Sequence, residues 1–100
     1  LDWLEEELSD SDSYRFVFVV GHQPPFDPGW NEQEENRYRQ LMQENNVDLS
    51  IHGHEHYFWY GEEYGDGVKY LLVDDVAGRN YCTVSVDSFT FDVDKIDLNP

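Results

Sequence analysis

The stretch Phe16-Val17-Phe18-Val19-Val20 is apolar without alternation, and Gly21-His22-Gln23-Pro24-Pro25 follows it at once. A strand with one wet face alternates polar and apolar residues. An unbroken apolar run belongs instead to a strand covered on both faces, as in a parallel or mixed sheet with helices against it. Paired prolines forbid helix and further strand pairing, so the strand must stop beside His22. Few architectures accept such an element in a small chain, and α/β is the first among them.

The flanking segments agree. Asn31 can cap a helix, with Glu34 in the reciprocal position and acids in the first turn. Tyr38, Leu41 and Met42 form its inner face, and Asn45-Asn46 ends it. Val47, Leu49 and Ile51 then alternate with Asp48, Ser50 and His52, the period of a strand. Strand, helix and strand of these lengths make a right-handed crossover and a parallel pair. Upstream, Leu1, Leu4 and Leu8 recur on one helical face, with Asp2 and Glu5 as a capping pair and a polar loop over residues 9–13. Downstream, strands are expected over residues 57–60, 68–73, 81–86 and 89–93. The last two read as a hairpin with the two-residue turn Asp87-Ser88. Residues 94–100 carry no signal. The expectation is one α/β domain, a mixed sheet with two helices.

Twenty-two acids face six bases, a formal charge of -16. Nucleic-acid backbones are bound by clustered Lys and Arg, so this chain should repel them. The acids are scattered, as on a solvated face. No apolar stretch approaches membrane-spanning length. Cys82 is the single cysteine, which excludes an internal disulfide and fits a small buried hydrophobe. Leu1 opens directly into helix, which reads as a cut through a longer chain.

Three of the four histidines stand in Ser50-Ile51-His52-Gly53-His54-Glu55-His56, and the fourth is His22. Both groups follow strands of a parallel pair. Sites in open α/β sheets collect beyond the carboxyl ends of such strands, so the rings are expected to converge on one rim. In an extended chain His54 and His56 would point to one side and Glu55 away into solvent. Gly53 would allow a sharp turn. Imidazoles mixed with carboxylates suit Zn, Fe or Mn. His52 is expected to be structural. Asp27, Asp74 and Asp75 are expected to be solvated loop acids, residues 57–60 a half-buried strand, and Arg79 a member of a surface ion pair.

Val19-Val20-Gly21-His22-Gln23-Pro24-Pro25, followed by Val47-Asp48-Leu49 through Gly53-His54-Glu55-His56, resembles the two late motifs of the calcineurin-like metallophosphoesterase family, which includes purple acid phosphatases. Trp59 and Tyr60 stand where that subgroup carries an arginine. The resemblance implies that His22 and His54 bind one metal and His56 a second, the pair being Mn, Fe or Zn. It implies no acid–base catalyst in this chain. The family's earlier motifs, D-x-H, G-D-x-x-D and G-N-H, do not occur here. By the resemblance, residues 1–100 are the carboxyl-terminal part of the domain, half of a four-layer αββα sandwich. The parent would be a two-metal phosphoesterase acting on a phosphate ester, and this piece alone would be inactive. Half a sandwich would also leave apolar sheet uncovered and self-associate. Two rivals remain: a degenerate, non-catalytic binding module, and a cupin-like mononuclear metal protein using His54, His56 and Glu62.

Overall fold

The computed structural model describes residues 1–98. Its centre is a four-stranded mixed sheet built on the apolar run. Strand β1 (Phe18–Gly21) pairs in parallel with β2 (Leu49–His52), which pairs in parallel with β4 (Lys69–Leu72). The short β3 (Trp59–Gly61) runs antiparallel to β4 on the far edge, so the order is β1-β2-β4-β3. A separate hairpin, β5 (Asn80–Val86) and β6 (Phe91–Asp97), forms a second sheet. The parallel strands joined through a helix exclude the cupin alternative. Glu62, which that reading needed as a ligand, instead accepts from the Gly67 amide and pairs with Lys69.

Helix α1 (Asp2–Glu7) passes into a 3-10 segment, Leu8–Ser13, where a loop was expected. Asp2 does not cap it. Its carboxylate sits 2.5 Å from Arg37 on the next helix instead. Helix α2 (Glu32–Glu44) forms as expected: Asn31 Oδ1 accepts from the Glu34 amide at 2.8 Å. Its end is equally well determined. Asn46 takes a left-handed φ of 52°, which Asn tolerates better than most residues. The Val47 and Asn46 amides then return to the Met42 and Gln43 carbonyls, a Schellman closure.

Tyr38, Leu41 and Met42 of α2 pack with Leu8, Val47, Val68 and Tyr70 in the core, and Val17 and Val19 join them. The opposite face of β1 is covered by the hairpin, where Phe91 meets Phe16 and Phe18 at 5.8 and 5.3 Å between ring centres. Coverage of both faces therefore holds for the first half of β1, Phe18 and Val19, and fails at Val20, which is 75% exposed, and Gly21. Strand β2 departs from its alternating pattern. Ser50 and His52 are as buried as Leu49, because β2 is flanked by strands on both sides and covered on both faces.

The hairpin turn has four residues, not two. Asp87 closes it, its Oδ1 accepting from the Phe89 and Thr90 amides at 2.8 Å. Phe89 lies in that turn rather than in a strand. Residues 94–97, silent in the sequence, extend β6 opposite residues 80–83. Of the 94–100 tail, residues 99 and 100 lie outside the described residues.

Candidate metal centre

Strand register brings the histidine loops together. Gly21 stands opposite His52, so the chain leaves β1 and β2 at the same level. The Gly53 amide then donates to the His22 carbonyl at 2.9 Å. Beyond this point His22 Nε2 and His54 Nδ1 lie 3.1 Å apart, the rings edge to face.

The expected extended His-x-His does not form. Pairing ends at His52, and the Glu55 amide turns back onto the Gly53 carbonyl at 2.8 Å. His54 and His56 adopt left-handed φ values of 68° and 60°. Such conformations are uncommon outside glycine and gather at functional sites. The twist sends the two rings to different partners. His56 lies 3.4 Å from Asp75, while His54 Nε2 lies 3.7 Å from Asp27. Glu55 does not point away: ligand atoms of Asp27, His54 and Glu55 lie within 4.8 Å of one another. His22 adjoins this group through His54, and His56 is outside it.

Asp27 is held by the proline segment. Its amide donates to the Pro24 carbonyl, and its Oδ1 accepts from Gln23 Nε2 at 2.6 Å and the Gly29 amide at 2.8 Å. The Glu55 carboxyl beside it, and then these amides, lower the Asp27 pKa, while Asp27 raises that of Glu55. Neither carboxylate pairs with a lysine or arginine among the described residues. Sequence reasoning missed both acids. Proline before an Asp-x-Gly turn was the available signal for Asp27; none marked Glu55, since its placement depends on the φ of His54.

The other expected placements divide. Asp74 is bonded to Asn80 at 2.9 Å, and that bond lowers its pKa. The half-buried strand expected over residues 57–60 forms only over Trp59–Gly61, and Tyr57 is exposed outside it. Arg79 makes no ion pair among the described residues, against expectation. Its carbonyl accepts from Leu98 instead, closing the open end of the hairpin.

Residues 1–58 match the family model for calcineurin-like phosphoesterases. The chain belongs to the calcineurin-like phosphoesterase family. No curated protein matches it. The matched span contains both histidine groups and α2, and it ends before the hairpin. The family implies divalent metal, and the donors fit one. Two imidazole nitrogens bound at one ion stand about 3.0–3.4 Å apart, given ligand bonds near ~2.1 Å. The 3.1 Å between His22 and His54 falls there. A cation would also relieve two facing carboxylates that lack a basic partner.

His52 plays a different part. It is 2% exposed, and its Nε2 lies 2.6 Å from Ser50 Oγ. Burial pushes its pKa from 6.5 down to about 4. The folded ring therefore stays neutral over a range where the unfolded ring takes up a proton. Stability from this residue is complete above the unfolded value and is lost as pH falls from 6.5 towards 4. The loss should approach about 3 kcal/mol. Urea unfolding at pH 7 and pH 4.5 (~2 pH units below His52's unfolded value) will show a steeper decline in the wild type than in His52→Gln. Parallel declines would mean that His52 does not contribute.

Proposed function

We propose that this chain supplies the histidine side of a two-metal phosphoesterase centre that hydrolyses a phosphate ester. The observation that carries the reading is the 3.1 Å approach of His22 Nε2 to His54 Nδ1 beside Asp27 and Glu55. His22 and His54 would hold one ion and His56 a second, of Mn, Fe or Zn. Asp27, facing His54 Nε2, would keep the proton on that nitrogen and leave Nδ1 free to ligate; such carboxylate partners are common behind metal-bound histidine. When bound, the ions supply charge that polarises the phosphoryl oxygens and acidifies water. Glu55 places a second carboxylate by the centre, where it adds to cation affinity. The acidic surface argues against a nucleic-acid substrate.

D-x-H, G-D-x-x-D and G-N-H are absent from these residues, and we place them in preceding sequence. The test is aryl phosphate hydrolysis with added Mn2+ or Zn2+, by the 100-residue chain and by a chain that carries those motifs. Activity is expected in the longer chain alone. Upstream sequence without the motifs would favour the rival reading, a degenerate module that binds without catalysis.

The isolated chain should also self-associate. Strand β1 is a sheet edge, and Val20, Trp3 and Tyr14 beside it are 75%, 71% and 66% exposed. The charge of -16 opposes contact between copies, and salt screens it. Gel filtration will show a larger species growing with salt. A clean monomer at every salt concentration would end this proposal.

A further inference from the structure

The imidazole of His52 is buried between two elements, and each of its edges has a distinct neighbour. On one edge Nε2 meets Ser50 Oγ, which lies 2.6 Å from the Tyr38 hydroxyl. Tyr38 belongs to α2, so this relay links the ring to the helix layer. On the other edge Nδ1 is buried without a partner at hydrogen-bonding geometry. That edge faces the end of β1: a Cβ built on Gly21 would stand 3.5 Å from both Nδ1 and Cε1. Tyr70 stacks on one face, at 6.1 Å and 18°.

A polar ring in a core costs stability unless its polar atoms are used. A phenyl ring would fill the same place without that cost. What the imidazole adds is a polar edge towards residues 21–23 and a second edge braced from α2. His22 is the middle residue of the first segment. His54 follows His52 by two residues, after the Gly53 amide has bonded to the His22 carbonyl. Both histidine loops therefore leave from the two sides of this ring.

We propose that His52 is a positioning residue for the metal centre: braced by Ser50 and Tyr38, its ring fixes the Gly21–Gln23 segment against the Gly53–His54 turn and so sets the separation of His22 and His54. The inference rests on the metal-binding reading above. It concerns where the ligands stand, and His52 touches no metal.

The test uses the full chain with His52→Phe and His52→Gln. Glutamine keeps an acceptor for Ser50 and a polar group on the edge facing Gly21, whereas phenylalanine keeps volume alone. Two quantities are read: the metal-free NMR cross-peak between the His22 and His54 rings, and the Zn2+ dissociation constant by calorimetry. His52→Phe should lose the cross-peak and bind Zn2+ about 10–100-fold more weakly, the range known for partners of metal ligands. His52→Gln should restore both. Tyr38→Phe preserves the ring while unlinking α2, and should weaken Zn2+ binding in the same direction; it decides the matter if His52→Phe does not fold. Wild-type affinity or an intact cross-peak in His52→Phe would overturn the proposal, as would unchanged binding in Tyr38→Phe. A wild-type chain that binds no Zn2+ removes the ligand assignment instead, and the cross-peak then decides the role of His52.

Discussion

Replacing Tyr70 by alanine will lower the free energy of unfolding by about 3–5 kcal/mol, the usual cost of removing a large aromatic side chain from a core. Tyr70 has 0% exposure. Phe26 and Tyr64 meet its ring edge-on at 5.8 and 5.6 Å, and His52 stacks on it. Those partners come from the proline loop, the turn after β3 and the end of β2, so one cavity would loosen three segments. The hydroxyl behaves differently. It is buried and has no hydrogen-bond partner among the described residues. An unsatisfied buried hydroxyl costs about 1–3 kcal/mol, so Tyr70→Phe should be neutral or stabilising. Denaturant melts of both variants separate these contributions. A Tyr70→Ala loss below about 1 kcal/mol would mean the aromatic cluster is not packed as described, since removing a buried large aromatic side chain costs several times that.

The elements best read from sequence are those whose signals are local. The apolar run and the two prolines bound β1, while Asn31 with Glu34 and the Asn45-Asn46 end bound α2. In each case a few adjacent residues satisfy or deny the backbone hydrogen bonds. The illegible parts depend on contacts from elsewhere. Asp2 looked like a cap but is engaged by Arg37. Strand β6 continues past residue 93 although Lys95 breaks its apolar pattern, and the ammonium lies 5.6 Å over the Phe58 ring. At the metal centre, register fixed the meeting of His22 with His54, and register follows from the strands. The places of Glu55, His56 and Asp27 do not. They follow from two left-handed residues and an Asp-centred turn, and side-chain alternation holds only while the chain stays extended.

That difference sets the last expectation. In a chain that carries the upstream motifs, His54→Ala will cut aryl phosphate hydrolysis by more than about 100-fold, beyond what loss of a ligand's supporting partner brings. His54 is the side chain that connects the two halves of the centre. One nitrogen faces His22 at 3.1 Å and the other faces Asp27 at 3.7 Å, so truncation removes a donor and separates the rest. Asp27→Asn keeps the donor but weakens the hold on its ring. It should cost about 10–100-fold, with Zn2+ affinity falling in step. His56→Ala removes a ring outside this group, paired with Asp75 and 67% exposed. It should therefore spare binding of the first ion while lowering turnover. Calorimetry with Zn2+ and rate measurements on the three variants distinguish these effects. If His54→Ala hydrolyses and binds metal like the wild type, the approach of the two imidazoles is only a packing contact and the ligand assignment fails.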